Sequence, residues 1–412
     1  MADFEQDKTP PEKRPDGPGS VPEKATRMPG MYVRERVLIA CAVLLIALFG
    51  VTAFIVRQYH HTEHQYADHW FAKGEAAING GQTAAAINDY RNALVYKRDD
   101  PTFQFHLAQA LASAGQEVQS RAYLVTLLSE NPSSGPINLT LARVAVRQKN
   151  KKDAIRYYHS AIYGVWDTDP LKQRWDVRRE LCEYLLNQGD VQQAEPDLIA
   201  LAQGVPFRDT AREKIAGSLL LRAGLWSRAL TEFRDVLTRD TRDTDALAGA
   251  GRAAFELSEY PQAVGYFARL PREKRASDVS EMLQIGQQAQ SMNAFRLGLP
   301  ASEQARRAEK ALSVANARIS ACATQRGETL SATPAASDEL QQLYATAQKN
   351  KRAWTLPGLS QHPDQIAAAM SFAFQAEAAA SKSCGPPQSA ADRALSLIAS
   401  KTASNRAGQA SE

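Results

Sequence analysis

The sequence of 412 residues predicts an all-α protein, in which an N-terminal transmembrane helix is followed by an α-solenoid of helix pairs and a C-terminal helical cap. Three observations lead to this prediction. A stretch of 20 residues without a charge runs from Val37 to Val56. Small residues then recur in two columns, twelve positions apart, in six successive units. In the last third of the chain, apolar residues follow one another in alternating steps of three and four, which places them on one helical face.

The uncharged stretch is long enough to cross a bilayer. At 1.5 Å per residue, its 20 residues span about 30 Å as a helix, which is the thickness of the hydrocarbon core. A cleaved signal peptide is the alternative, but its apolar region is normally about 7 to 15 residues long and follows a short basic start. Here 36 residues precede the stretch and no A-x-A site follows it. We therefore predict a retained helix over residues 34–57 that contacts the lipid bilayer through residues 37–56.

The flanking charges predict the orientation of this helix. Four basic residues precede it within twenty positions and two follow it, namely Lys24, Arg27, Arg34 and Arg36 before it and Arg57 and Lys73 after it. Because positive flanks stay in the cytoplasm, the N-terminus is expected there, and everything after the helix lies in the periplasm of a bacterium, anchored in the inner membrane by a single pass. Residues 1–33 are rich in proline and charge, so we predict a disordered cytoplasmic tail.

Residues 58–292 are predicted to form about six helix pairs and one capping helix near 277–292. The first small column is Gly74, Ala108, Ala142, Cys182, Gly217 and Gly251, and the second is Ala86, Ser120, Ala154, Ala194, Ala229 and Ala263. Four positions later comes a bulky column, Tyr90, Leu124, Tyr158, Leu198, Phe233 and Phe267. Two backbones approach closely where the small residues meet, and the bulky residue fills the gap beside the next pair. Units repeat in steps of 34, 34, 40, 35 and 34, so insertions fall between units.

At these columns the sequence resembles the tetratricopeptide repeat family. The first unit matches its signature at Trp70, Gly74, Ala86, Tyr90 and Ala93, and the sixth matches at Gly251, Tyr260, Ala263 and Phe267. The resemblance extends from about Tyr66 to Arg275, but only Pro132 and Pro206 match the closing proline, and the signature tryptophan occurs in one unit. It implies a right-handed superhelix of antiparallel helix pairs, whose concave face usually binds peptides or partner proteins.

Residues 293–400 are predicted to form a separate helical cap. One helix follows the break "RLGLP", a short helix lies near 338–349, a third covers 363–381, and a last one lies near 390–400, before a disordered tail over 401–412. If the first three run up, down and up, the C-terminal ends of the first and third meet, and Cys322 and Cys384 lie at those ends. In an oxidising periplasm they would form a disulfide, with two free thiols as the alternative. Cys41 lies in the membrane span and Cys182 in a small column, so both are interpreted as packing residues.

Known catalytic and nucleic-acid-binding patterns are missing from the sequence. The balance of 49 basic against 45 acidic residues does not indicate nucleic acid. Four histidines, His60, His61, His64 and His69, occur in "HHTEHQYADH", yet no carboxylate or cysteine constellation completes a metal site around them. The sequence has no P-loop, G-x-G-x-x-G or G-x-S-x-G. We therefore predict no enzymatic activity, no metal and no cofactor.

The candidate binding surface is the face formed by the first helix of each pair. Inward-facing candidates are Phe71, Glu75, Phe105, Arg143, Arg147, Arg179, Lys214, Arg222 and Arg252. A basic groove suits an acidic segment or a C-terminal carboxylate, and the first two units are expected to be more apolar. The alternative is that the arginines are ordinary surface charges, paired with neighbours such as Asp176 and Glu183. Asn187 alone does not supply the asparagines of a carboxylate clamp.

Two functional classes follow from this organisation, and a third is weaker. The first is a membrane-anchored scaffold that binds other proteins or peptides in the periplasm for assembly of an envelope complex. The second is a chaperone-like factor at the secretion translocon that holds exported clients. The third is an enzyme subunit that uses the histidine run.

Overall fold

A computed structural model describes residues 29–332 and 338–409, with side chains over 35–57, 63–332 and 338–403. The predicted tail over residues 1–28 and the last three residues lie outside this part, as do the side chains of His60 and His61. The fold divides into two compact units, unit 1 over residues 1–120 and unit 2 over residues 121–412.

The first helix, α1, is one continuous element of 51 residues, Pro29–Asn79. It begins five residues before the predicted start at residue 34, since a proline is well suited to the first turn, where its missing N–H is not needed. Nor does the helix end at residue 57: the following residues contain no glycine or proline before Gly74, so the apolar span continues into the first helix of the first pair. Within Glu35–Arg57, the most apolar window of 18 residues has a mean hydropathy of 2.9, and none of that window is buried.

Unit 1 continues with two further helices and the start of a third. These are α2 (Thr83–Tyr96), α3 (Pro101–Ser113) and α4 (Glu117–Glu130), the last of which crosses the division between the units. Asp100 caps α3 by accepting hydrogen bonds from the backbone N–H groups of Thr102 and Phe103. The chain reverses between α1 and α2 at Gly81, whose φ of 72° favours glycine.

Unit 2 holds the remaining helix pairs, packed one after another along the chain. The helices are α5 (Gly135–Arg147), α6 (Lys151–Ile162), α7 (Pro170–Asn187), α8 (Val191–Gln203), α9 (Thr210–Arg222), α10 (Trp226–Arg239), α11 (Thr244–Glu256), α12 (Tyr260–Arg269) and α13 (Ser277–Met292). Every residue of the second small column is fully buried. Tyr90 in the bulky column is almost completely buried. A methyl group on Gly251 would collide with the ring of Phe267. The predicted close approach of the two helices is confirmed.

The longest step between units, 40 residues, includes an ordered loop between α6 and α7. Its backbone pairs with the preceding inter-unit loop, because the Val165 N–H donates to Ser133 at 2.7 Å and the Gly135 N–H donates to Val165 at 2.9 Å. The ring of Trp166 lies against Gly135 and its Nε1 donates to the carbonyl of Ala161 at 2.9 Å. Helix α7 also has 18 residues against 13 in α5, so the extra residues lengthen both this loop and the start of α7, ahead of Cys182 in the first small column.

The C-terminal part contains one more helix than the sequence predicts. Its helices are α14 (Ala301–Gln325), α15 (Glu339–Lys349), α16 (Leu356–Gln361), α17 (Ile366–Cys384) and α18 (Ala390–Gln409). Helix α16 was missed because it has only six residues and no periodic stripe. Residues 401–409, which the sequence assigned to a disordered tail, continue α18 in the structure; this segment contains no proline and its one glycine lies near the end.

Helix α18 also joins the cap to the helix pairs of unit 2. It packs against α13, with Ala394, Leu395 and Ile398 buried. The Lys401 ammonium donates to the carbonyls of Leu257 and Ser258 at the end of α11, at 3.2 Å each. The cap is therefore continuous with the last helix of the solenoid, which differs from the separate domain predicted to begin at residue 293.

The cap brings Cys322 and Cys384 together at the C-terminal ends of α14 and α17. Their Cα atoms lie 5.7 Å apart across 62 residues of chain, with the sulfur atoms at bonding distance. Cys182 is buried in its small column, and Cys41 is exposed on the apolar span.

Candidate partner-binding surface

The basic residues predicted to line the groove lie on the first helices of unit 2, and most of them already contact an acceptor. Arg143 on α5 donates to Glu180 on α7 through Nε at 2.9 Å and Nη2 at 2.7 Å. Lys214 on α9 donates to Asp243 at 3.0 Å and Asp245 at 2.9 Å, beside the start of α11. These contacts join each first helix to the next.

The same holds for the other members of the predicted set. Arg252 donates to Asp278 at 3.0 and 2.7 Å, which links α11 to α13. Arg222 donates to the side-chain oxygen of Asn187 at 2.9 Å, and Arg179 donates to Glu183 on its own helix at 2.7 Å. Arg147, the sixth basic candidate, is exposed at the end of α5.

Three of the predicted basic residues, Arg143, Lys214 and Arg252, are therefore neutralised by carboxylates further along the chain. The sequence pattern could not show this, because these carboxylates lie 26 to 37 residues away. The sequence left two alternatives, free groove arginines and surface charges paired with neighbours. Arg143, Arg179 and Arg252 do contact carboxylates, and the role of these residues in binding stays a prediction. Glu183 pairs as expected, whereas Asp176 contacts Lys172 at 3.1 Å instead of an arginine.

These contacts shift the titration of the groups involved. The hydrogen bond to Glu180 raises the pKa of Arg143. Burial alone would raise the pKa of Glu180, but the hydrogen bonds from Arg143 and Tyr158 outweigh it and hold that pKa below its ordinary value. The hydrogen bond from Arg252 lowers the pKa of Asp278 in the same way. Each pair is thus charged at neutral pH.

In unit 1 the predicted residues Phe71 and Glu75 meet an aromatic cluster. The ring of Phe71 stacks on Phe103 with centroids 4.7 Å apart and meets the edge of His106 at 5.0 Å. The Tyr90 hydroxyl donates to Glu75 Oε1 at 2.5 Å, and His106 Nδ1 lies 2.6 Å from the same oxygen.

The third predicted residue of unit 1, Phe105, extends this cluster. Its ring lies 6.1 Å from that of His106, nearly perpendicular to it, and Phe105 is partly exposed. The three predicted residues are thus brought together by His106. Sequence reasoning missed Tyr90, Phe103 and His106 as members of this site, although a buried tyrosine in the bulky column signals that its hydroxyl needs a partner.

The Tyr90 arrangement has a counterpart with the charges exchanged. In the third unit, the Tyr158 hydroxyl donates to Glu180 Oε1 at 2.8 Å, and Glu180 also binds Arg143. Glu75 and Arg143 each follow the first small column by one position, and His106 and Glu180 each precede the next small residue by two. The two sites therefore use the same three positions, with the carboxylate on opposite helices.

Burial and the adjacent carboxylate both raise the pKa of Tyr90, and burial with Glu180 raises that of Tyr158. Both tyrosines therefore remain neutral hydrogen-bond donors. Within the described residues, no group of three or more His, Cys, Asp or Glu side chains is placed to hold a metal ion. What the surface offers chemically is recognition through aromatic faces and one partly exposed carboxylate.

Comparison with protein-family models gives a match to the tetratricopeptide repeat over residues 71–135 and 216–278. These segments include the first and sixth units, where the signature residues are densest. No curated protein matches the chain well enough to count as a relative.

Solved structures with partial similarity have low scores. YrrB, described as a tetratricopeptide repeat protein with an unusual peptide-binding site, is 18% identical, covers 46% of this chain and 95% of its own, and gives a TM-score of 0.36. The type IV pilus biogenesis factor PilW is 17% identical, covers 53% of this chain and 99% of its own, and gives a TM-score of 0.38. Pseudomonas aeruginosa pilF is 16% identical, covers 54% of this chain and 98% of its own, and gives a TM-score of 0.38. At these values the similarity carries no argument about this chain, and the roles in those descriptions remain those of the proteins named.

Proposed function

Because this chain belongs to the tetratricopeptide repeat family, we propose that it is a non-enzymatic scaffold, anchored in a bacterial inner membrane, that binds partner proteins on the periplasmic side and assembles an envelope complex. The observation that carries the proposal is the continuity of α1. One helix of 51 residues contains both the apolar span and the first helix of the first pair. A partner bound by the helix pairs would thus be held near the bilayer.

The apolar span supports anchoring because its large side chains have no protein to cover them. Leu44, Ile46 and Phe49 are 62, 71 and 77% exposed. Exposure of this many apolar groups to water is unfavourable by about 25 cal/mol per Å², so a lipid environment suits them. A cleaved signal sequence would have the same composition, and the mass of the mature protein separates the two: an anchor keeps residues 34–57.

The orientation proposed for the anchor places the N-terminus in the cytoplasm and the helix pairs in the periplasm. It rests on the excess of basic residues before the span. A phosphatase that is active only in the periplasm, fused after Glu412, tests it directly. Activity is expected; an inactive fusion that is nevertheless full length would reverse the orientation.

The Cys322–Cys384 pair fits this location. A disulfide that closes a loop across 62 residues persists in an oxidising compartment and is rare in the cytoplasm. We propose that the bond forms in the mature protein and holds α14 against α17.

Photocrosslinking from matched positions tests the binding role. Ser218 on α9 and Thr231 on α10 are both exposed, and each hydroxyl donates to the carbonyl four residues earlier in its own helix, at 2.7 and 3.1 Å. A photoreactive residue at 218 lies on a first helix and one at 231 on a second helix. The scaffold predicts one or two fixed protein partners captured from position 218 and fewer from 231.

The outcome at position 218 also separates the scaffold from the second candidate. A broad set of exported chains, captured only while they are being secreted, would favour the chaperone-like factor at the translocon. If no protein is captured from position 218 or from other first-helix positions, both candidate functions are contradicted.

A further inference from the structure

The two tyrosine sites differ in how their carboxylate is bound. Glu180 receives two hydrogen bonds from Arg143 in addition to the one from Tyr158. Glu75 in unit 1 receives the Tyr90 hydroxyl and faces His106 instead. Arg143 binds both oxygens of Glu180, whereas His106 Nδ1 contacts a single oxygen of Glu75. Glu75 is therefore held at one oxygen, and Glu180 is held at two.

The geometry leaves one oxygen of Glu75 available. Both contacts to Glu75 use Oε1, and the side chain is 40% exposed. The nearby lysines of unit 1 are committed to other carboxylates. Lys73 lies 3.5 Å from Asp89 and over the ring of Trp70, and Lys97 donates to Asp68 at 2.8 Å.

The surface beside this oxygen is aromatic. Phe71, His106 and Phe105 form a continuous row of rings, with adjacent centroids 5.0 and 6.1 Å apart, and all three are partly exposed. Aromatic faces accept bulky apolar side chains and also attract cations. The row is held from below by Phe103, which is buried and stacks on Phe71. Such a fixed surface needs little reorganisation to bind a ligand.

We propose that this cluster, within the partner-binding role proposed above, takes an arginine side chain of an extended partner segment on Glu75 and an adjacent bulky apolar side chain on Phe71 and Phe105. The partner's guanidinium supplies to Glu75 what Arg143 supplies to Glu180. Arginine is preferred over lysine, because its planar group can bond a carboxylate and stack on a ring together. The preferred partner chemistry in unit 1 is thus basic and apolar, the reverse of the acidic segment that the sequence suggested for the groove.

A peptide set measures this preference on the full-length protein in detergent micelles. Three fluorescein-labelled peptides, Gly-Ser-Phe-Arg-Ser-Gly and the versions with glutamine or glutamate in place of arginine, are compared by fluorescence polarisation. The arginine peptide is expected to bind roughly tenfold more tightly than the glutamine peptide, the usual effect of a hydrogen bond to a charged group, and the glutamate peptide most weakly.

Three variants locate the effect. Glu75→Gln is expected to remove the preference for arginine, whereas Glu183→Gln, which alters a first-helix carboxylate in the same column, leaves it unchanged. His106→Arg places a guanidinium beside Glu75 and is expected to abolish the preference while the helical circular dichroism and Tm stay as in the wild type. Glu75→Gln keeps the whole aromatic row, and His106→Arg keeps the rings of Phe71 and Phe105.

Equal affinity for the three peptides, or no measurable binding of the arginine peptide to the wild type, would overturn the inference. So would a preference for arginine that survives Glu75→Gln. None of these results touches the scaffold role, which depends on the crosslinks from position 218.

Discussion

Arg143 and Glu180 join two neighbouring first helices through paired hydrogen bonds of 2.9 and 2.7 Å. Their contact also includes the hydroxyl of Tyr158, which comes from the second helix between them. Three helices therefore meet at one carboxylate. This arrangement makes Glu180 important for the packing of the third helix pair against the fourth.

Removal of Glu180 should destabilise unit 2. Glu180→Ala leaves Arg143 without its carboxylate and the mostly buried Tyr158 hydroxyl without an acceptor, so we expect a loss of about 1 to 3 kcal/mol in the free energy of unfolding, measured by urea denaturation. Glu183→Ala is the control, because its bond to Arg179 is an exposed contact within one helix and should contribute about 0.3 to 0.5 kcal/mol. Equal effects of the two variants would show that the contact between units adds nothing.

Acidification should weaken the same row of pairs. The pKa values of Glu180, Asp243 and Asp278 are lowered in the folded protein from ordinary values of 4.5, 3.8 and 3.8. A carboxyl whose folded pKa is depressed stabilises the fold above its ordinary pKa, and that contribution is lost as the pH falls through the depressed value. We therefore expect the urea concentration at the unfolding midpoint to decrease as the pH falls below about 4.

A triple variant checks the source of this pH dependence. Glu180→Gln, Asp243→Asn and Asp278→Asn together should lower stability at pH 7 and reduce the additional loss below pH 4. Asparagine at 243 still caps α11, since Asp243 accepts the Ala246 N–H through one oxygen. If the variant lost stability as steeply as the wild type, other carboxylates would be responsible.

The small columns could be predicted from the sequence, whereas the ion pairs between helix pairs could not. Gly217 and Ala229 are twelve positions apart in one hairpin, so their meeting is fixed by local geometry and could be predicted. The acceptor of Arg143 lies 37 residues away, and no pattern within one unit identifies it. The tyrosines offered the missing signal: only Tyr90 and Tyr158 of the bulky column carry a hydroxyl, and both have a charged or titratable residue at the same two neighbouring positions.

The docking of α18 on α13 was beyond sequence reasoning for a related reason. About one hundred residues separate the two helices, and each has an apolar stripe that would suit several neighbours. Leu395 is fully buried there, whereas Leu397 on the same helix is only partly buried. Sequence periodicity identifies a stripe but does not choose its partner.

A substitution in α18 tests this docking. Leu395→Ala should lower the free energy of unfolding by about 2 to 5 kcal/mol, because it leaves a cavity in a packed interface. Leu397→Ala should have a clearly smaller effect. Similar small losses for both, measured by denaturation of the full-length protein, would mean that α18 contributes little to the fold.

The cysteine pair should be detectable by thiol counting and by its effect on stability. In the oxidised protein under denaturing conditions, two of the four cysteines, Cys41 and Cys182, should react with a thiol reagent, and all four should react after reduction. The chain-entropy relation gives about 4 kcal/mol for a loop closed across 62 residues, so Cys384→Ser should lower stability by up to that amount. Cys182→Ala is the control that leaves the pair intact; four reactive thiols before reduction would contradict the bond.

Two glycines of the sixth unit provide the sharpest test of the column geometry. A methyl group at Gly251 would enter the space of the Phe267 ring, whereas a methyl group at Gly265 would meet nothing within 4 Å. Gly251→Ala should therefore lower stability by about 1 to 3 kcal/mol, as overpacking does. Gly265→Ala should raise it by about 0.5 to 1 kcal/mol, because alanine loses less conformational freedom in a helix. Both changes have the same chemistry and lie in one helix pair, so opposite signs in thermal or urea denaturation can arise only from the space around each position. A stabilising effect at both would mean that α11 and α12 do not approach as closely as the small column requires.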